Sequence, residues 1–303
     1  PENHAQHVLF LDIAAKLGNE IILIPIWLLQ AMACSTPSKK YLEVLSQKSV
    51  RLSTSTPKLI VLDLNHTLLS RSKKKSTRGT LRPYLNEFLQ YLFEGTDKKD
   101  GTFSVMVWSS ARPQTVDALV NLAFGRYRDQ LIAIWSRNKF GLDKQMYYRK
   151  VPVIKNLETI WNELNRPHHV NPHDGWSETS SSELPNDMSS PSTTPRSPLS
   201  PTNETSTDTF IEKLPRAIDL DTINGISPCT WDQTNTILID DSPSKAVLQP
   251  YNAIHLPPFN SPARQLAKDK ELVNVINYLE ILKHQDNVSA YMKEHAYVST
   301  RMD

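Results

Sequence analysis

Leu59–Leu62 form an unbroken apolar run, Leu-Ile-Val-Leu, that ends on a carboxylate, Asp63. A short run with no polar alternation reads as a strand buried on both faces, and such strands belong to parallel sheets covered by helices on either side. The same signal recurs along the chain. Phe103–Trp108, Leu131–Trp135, Thr236–Ile239 and Asn252–Leu256 are short runs of strand character. Between them lie helix-like stretches, Pro83–Phe93, Pro113–Ala123, Val153–Leu164 and Pro243–Leu248, with Phe88, Leu89, Leu92 and Phe93 at helical spacing. Strands alternating with helices predict βαβ units, hence an α/β fold with a parallel sheet and right-handed crossovers.

The chain has 303 residues, enough for one large domain or two small ones, and its 39% apolar content can bury a core. It begins at Pro1 rather than Met, as expected of a fragment or a processed product, so a targeting signal upstream stays open. Residues 20–34 hold the most apolar run, but about fourteen residues with Pro25 inside fall short of the roughly 18–20 that a spanning helix needs. A buried or partner-facing segment is expected there, with membrane contact left open. Residues 1–56 carry no assignable role, and the Ser, Thr and Lys of residues 36–56 read as a tether.

From Pro57 to Asn165 and again from about Phe210 to residue 285 the pattern is that of an ordered, discontinuous domain. Residues 166–209 are rich in Ser, Thr, Pro and Asn, with too little apolar side chain to offset the entropy of ordering, so a disordered insertion is expected. Ser190, Thr194, Ser197 and Ser200 each precede a proline there, as Ser/Pro richness alone predicts. His168, His169 and His173 have no partner cysteine and read as solvated, and residues 286–303 as a carboxy-terminal helix or tail. The net charge is only +2, so no global field favours nucleic acid, and direct nucleic-acid binding is not expected. Cys34 and Cys229 lie far apart without metal-ligand spacing, which suggests a reducing intracellular compartment, nucleus or cytoplasm, with the mitochondrion as the alternative.

Ligands of open α/β sheets sit at the carboxyl ends of the strands, and the polar residues gather there. Asp63 ends the first strand, with Asn65 and Thr67 just beyond; Ser109 and Ser110 follow the second, and Asp240 and Asp241 end a later one. Lys155 lies near the start of a helix. A carboxylate, a hydroxyl, an ammonium and an acidic pair suit one chemical task. A phosphoryl group is attacked in line while a metal, an ammonium and hydroxyl donors neutralise its equatorial charge. Mg2+ takes few carboxylates and keeps several waters, which fits Asp63 with Asp240 or Asp241. Blander readings stand beside these: Asp240, Ser242 and Pro243 as a turn and helix cap, Lys155 as a solvated lysine, Ser109 and Ser110 as a cap for the helix near Pro113. Trp135, Trp161 and Trp231 read as core.

In order and spacing these motifs resemble the haloacid dehalogenase superfamily, specifically its C-terminal-domain-phosphatase-like (NLI-interacting-factor-like) branch. The superfamily pattern D-x-D-x-T-L looks like Asp63-Leu64-Asn65-His66-Thr67-Leu68. The branch's Arg-Pro opening resembles Leu81-Arg82-Pro83, its hydroxyl motif Trp108-Ser109-Ser110, its lysine motif Lys155-Asn156-Leu157, and its acidic motif Ile239-Asp240-Asp241-Ser242-Pro243. The resemblance implies a Rossmann-like fold with small inserts and an open cleft. It implies Asp63 as the nucleophile that forms an aspartyl-phosphate, Ser109 as phosphate-binding hydroxyl, Lys155 as charge-neutralising lysine, and a Mg2+ site at Asp63, Asp240, Asp241 and the backbone carbonyl of Asn65. The family's second aspartate, which moves protons, is here Asn65. An amide cannot do that work, and losing a positioned acid–base group costs about 10²–10⁴ in rate.

Two function classes follow. One is a Mg2+-dependent phosphatase of phosphoserine or phosphothreonine peptides, slowed by Asn65, with His66 the nearest substitute imidazole. The other is a weak or inactive module that recognises a peptide or a partner protein; the family's precedent is the phosphatase-like, presequence-binding subunit of the mitochondrial inner-membrane translocase, which has a degenerate site and works by binding. The partner expected is a phosphorylated or acidic peptide or protein. The basic stretch Arg71–Arg78 suits attraction of such a partner, an ordinary charged loop, or a nuclear-localisation-like cluster alike.

Overall fold

The structure, a computed structural model, describes residues 36–71, 79–95, 102–166, 229–261 and 263–299. The elements in order are α1 (Lys39–Leu45), β1 (Lys58–Leu62), β2 (Leu69–Arg71), β3 (Gly79–Leu81), α2 (Leu85–Glu94), β4 (Phe103–Trp108) and α3 (Pro113–Phe124). There follow β5 (Ala133–Trp135), α4 (Lys144–Tyr147), α5 (Leu157–Leu164), β6 (Thr236–Asp240), β7 (Ala253–His255), α6 (Ala263–Lys268), α7 (Glu271–Leu282) and α8 (Val288–Glu294). Five strands make one parallel sheet in the order β5-β4-β1-β6-β7, with β1 at its centre, and β2 and β3 pair as a separate antiparallel ribbon. The α/β reading from the sequence is therefore correct.

Why the apolar runs lack alternation is visible in the packing. On one face Ile60, Leu62, Val105, Val107, Ile237 and Ile239 meet Phe88, Leu89, Val116, Leu119 and Val275 from the helices. On the other, Leu59, Val61, Met106, Trp108 and Leu238 meet Leu157, Ile160 and Trp135. Successive side chains point to opposite faces, so two buried faces demand apolar residues at every position. α2 buries Leu85, Phe88, Leu89 and Leu92, one stripe at the helical period, and stops at Gly95 with φ 64°. Trp135 is buried, and Trp161 and Trp231 are half-buried against the same cluster.

Three local expectations need correction. The helix expected over Val153–Leu164 begins only at Leu157, because the Asn156 side chain caps it by accepting the Glu158 N–H at 3.1 Å. Pro243–Leu248 contains a single 3-10 turn, Pro243–Ala246. Residues 36–56 are not a loose tether. α1 is capped by Ser38 and buries Tyr41 and Leu45. Asn287 Nδ2 donates to the Val44 carbonyl and Gln233 Nε2 to that of Tyr41, while the Tyr251 N–H donates to the Tyr41 hydroxyl. Leu52 and Thr56 donate backbone bonds to His284 and Lys283. Among the described residues no helix is long and apolar enough to cross a membrane. The apolar stretch 20–34, the insertion from residue 167 onward, the order expected from Phe210 to residue 228 and most of the basic stretch Arg71–Arg78 lie outside the described residues.

Lys58 is buried at the start of β1, where its ammonium donates to the carbonyl and hydroxyl of Thr56. Burial pushes its pKa down to about 8, against the attraction of Cys229 and Asp286. Between that value and the ordinary lysine pKa, the unfolded chain holds a proton that the folded chain has released. Stability from this group therefore rises with pH in that window, by about 1.4 kcal/mol per unit. Unfolding free energies measured from pH 8 to 9.5 are expected to show that rise in wild type relative to Lys58→Met, and parallel profiles would refute it. Tyr41→Ala is expected to lower the urea-unfolding free energy by about 3–5 kcal/mol at unchanged m. A loss below about 1 kcal/mol would mean that α1 is not part of the core.

Candidate active site

Strand register delivers the acidic residues to one edge. Leu62 pairs with Val107 on one side and Ile239 on the other, so Asp63, the end of β4 and Asp240 leave the sheet together. The Asp63 N–H donates to the Ile239 carbonyl at 3.0 Å. Lys155 reaches this edge on the extended arm before α5, anchored by its own N–H on the Lys245 carbonyl at 2.7 Å. Its Nζ donates to Asp63 Oδ1 at 3.0 Å and to Asp240 Oδ2 at 2.6 Å, with all three residues buried. The solvated-lysine reading is thereby excluded.

A second ammonium, which sequence reasoning missed, joins them. Lys245 Nζ lies 2.9 Å from Asp240 Oδ1, 3.4 Å from Asp63 Oδ2 and 3.5 Å from Asp241 Oδ1. The available signal was the spacing: a helical turn opened by Pro243 brings the fourth residue after Asp241 back over it. Asp240 also accepts the Ser242 N–H at 2.9 Å, so the turn reading is true as well, but Ser242 makes no side-chain cap.

Three carboxylates thus face two ammonium groups, and one negative charge remains in excess. Burial alone would raise the Asp240 pKa, but Lys155 and Lys245 outweigh it and hold this carboxyl well below the ordinary range. Asp241 is pushed up to about 6 by burial, with Asp240 and Asp63 adding to the rise and Lys245 opposing it. Burial would lower the Lys245 pKa, yet Asp63, Asp240 and Asp241 together raise it above the usual lysine value.

The loop after β1 is wound tightly. Thr67, Leu68 and Leu69 all donate N–H groups to the Leu64 carbonyl, and His66 sits in the left-handed region at φ 66°. His66 shares two hydrogen bonds with Phe259: its carbonyl accepts the Phe259 N–H at 2.8 Å, and its Nδ1 lies 3.3 Å from the Phe259 carbonyl. Its partners are backbone groups, not the carboxylate cluster. Asn65 is half-buried and uses its Oδ1 to accept the Arg71 N–H at 3.1 Å, which ties the loop to the end of β2. The Thr67 hydroxyl is buried and has no hydrogen-bond partner among the described residues. Beneath the loop the buried Arg82 guanidinium donates to Asp269 Oδ2 and to the carbonyls of Thr67 and Pro257, each at 3.0 Å.

Ser109 is buried just past β4, its N–H on the Trp135 carbonyl at 3.0 Å and its Oγ accepting the Ala111 N–H at 3.4 Å. It does not cap α3, whose first turn follows Arg112 with no side-chain cap. One carboxylate oxygen from each of Asp63, Asp240 and Asp241 lies within 4.8 Å of the others. Three hard oxygen donors at that spacing suit a hard divalent cation in charge and donor type. Chemically, the arrangement sets buried carboxylates beside cationic groups able to offset the charge of an anionic ligand.

The chain is similar to known proteins. The model of the family described as NLI interacting factor-like phosphatase matches residues 58–170 and 206–289. An uncharacterized FCP1 homology domain-containing protein of Schizosaccharomyces pombe is 31% identical over 267 residues, covering 84% of this chain and 83% of the relative.

Lys155→Met is expected to lower stability by about 3–5 kcal/mol, because two buried carboxylates would face each other with half their compensation gone. Adding Asp240→Asn is expected to recover part of that loss in chemical denaturation. A neutral Lys155→Met would show that the cluster is not held by this ammonium.

Proposed function

The chain belongs to the NLI interacting factor-like phosphatase family, within the haloacid dehalogenase superfamily, and on that premise we propose that it dephosphorylates phosphoserine or phosphothreonine in protein segments, slowly and with Mg2+. One observation carries the reading: a buried lysine holds two buried carboxylates, from different strands, at the carboxyl edge of the sheet.

In this reading a carboxylate oxygen of Asp63 attacks phosphorus in line. The new O–P bond forms as the ester O–P bond breaks, and the departing serine or threonine oxygen takes a proton from solvent. Water then attacks the aspartyl-phosphate and gives up a proton to solvent, releasing inorganic phosphate and restoring the carboxylate. Lys155 holds Asp63 Oδ1 and offers positive charge to the phosphoryl oxygens. Ser109 supplies a hydroxyl donor. Asp63, Asp240, Asp241 and the Asn65 backbone carbonyl would hold Mg2+, which when bound neutralises charge on the transferred group. The bonds that His66 makes to Phe259 favour a loop-fixing role over proton transfer.

Asn65 sets the pace. Its amide N–H groups are too weakly acidic to protonate a leaving oxygen and its oxygen too weakly basic to deprotonate water, so a barrier higher by about 3–5 kcal/mol is expected. The geometry around it favours repair. A carboxylate at this position would accept the Arg71 N–H with one oxygen and keep the other for proton transfer. That same bond supports a second reading, a phosphopeptide-binding module in which position 65 serves the loop rather than the chemistry.

Steady-state hydrolysis of an aryl phosphate with Mg2+ separates the two. Wild type is expected to be very slow, Asn65→Asp faster by at least about tenfold, and Asp63→Asn inactive. Activity of Asp63→Asn equal to wild type would remove the nucleophile. Rapid wild-type turnover would point to another proton donor. No gain in Asn65→Asp would favour the binding module.

A further inference from the structure

Lys245 has no part in the chemistry above, yet its ammonium touches each of the three carboxylates on which a divalent cation would rest. The two lysines divide the oxygens between them. Lys155 takes Asp63 Oδ1 and Asp240 Oδ2, whereas Lys245 takes Asp63 Oδ2, Asp240 Oδ1 and Asp241 Oδ1. We propose that Lys245 is a tethered cation that fills the metal position of this chain and must swing out before Mg2+ enters, making ion binding an exchange rather than an addition. The inference rests on the metal site assigned under the proposed function.

Three observations carry it. The first is steric: Mg2+ needs oxygens at about 2.0–2.1 Å in octahedral order, and an ammonium already on the same oxygens occupies that shell. The second is charge. With Lys245 in place the cluster holds one negative charge in excess, and with Mg2+ in its stead, beside Lys155 and three carboxylates, the charges balance. Holding both would leave a positive excess in a buried site, which is unfavourable. The third is mobility of position. The Lys155 side chain is 0% exposed, whereas that of Lys245 is 14% exposed on a short turn, so only Lys245 has a route to solvent.

Calorimetric titration of the full chain with MgCl2 tests the exchange. Lys245→Ala is expected to bind Mg2+ about tenfold or more tighter than wild type, and Lys245→Arg, which keeps a cation, to bind no tighter than wild type. Wild type alone gives an independent readout, which decides if Lys245→Ala fails to fold. Acylation by an N-hydroxysuccinimide ester, mapped by mass spectrometry, is expected to rise at Lys245 with saturating MgCl2 and to stay constant at the exposed Lys150. Unchanged labelling of Lys245, or equal affinities of wild type and Lys245→Ala, overturns the exchange. If Asp241→Asn then still abolishes binding, the metal site stands without it. If neither wild type nor Lys245→Ala takes up Mg2+ at millimolar concentration, the metal site and the exchange fall together.

Discussion

A carboxylate cannot sit inside a protein without compensation, and two central strands of this sheet, β1 and β6, each run into one. Parallel register puts Asp63 and Asp240 side by side whether or not the fold tolerates it. The ammonium of Lys155, with no exposure of its own, makes the arrangement possible. Much else follows from that need. α5 starts late, at Leu157, so that the preceding residues can run extended and bring Lys155 to the edge. The arm itself is pinned by its N–H on the Lys245 carbonyl, which couples the two cationic residues of the site through one backbone hydrogen bond. A cluster built this way is costly to fold and of little use to a plain scaffold, and the proposed function rests on that cost.

The central strands were legible because burial on both faces leaves no room for ambiguity. β1, β4 and β6 match their apolar runs to within a residue. β5 is shorter than its run, since Leu131 closes a 3-10 turn and only Ala133 onward pairs with β4. α1 escaped notice for a different reason. Its seven residues are set among Ser, Thr and Lys, and its burial depends on Gln233, Tyr251 and Asn287, which lie about two hundred positions away. Nothing local to Tyr41 announces those partners.

In the site itself, Asp63, Lys155 and Asp240 could be read from strand ends and a family resemblance. Lys245 was missed, because Ser-Pro-Ser-Lys reads as an ordinary polar turn unless its spacing from Asp241 is taken as helical. The bond from Asn65 to Arg71 was equally hidden, since it joins a loop to a strand three residues long. On the proposed reading Asn65 withholds a proton donor and Lys245 contests the ion, so the same pocket would carry two separate brakes.

The seam between α1 and α8 bears on how the protein can be divided. The stretch matched to the family begins at residue 58, but the folded unit includes a helix some twenty residues earlier. A fragment trimmed to the matched stretch would keep every residue of the pocket and lose the lid over Gln233, Tyr251 and Asn287. It would carry an apolar scar and dangling amide donors on its flank. Silence from such a fragment would then report a wounded scaffold, not a missing reaction.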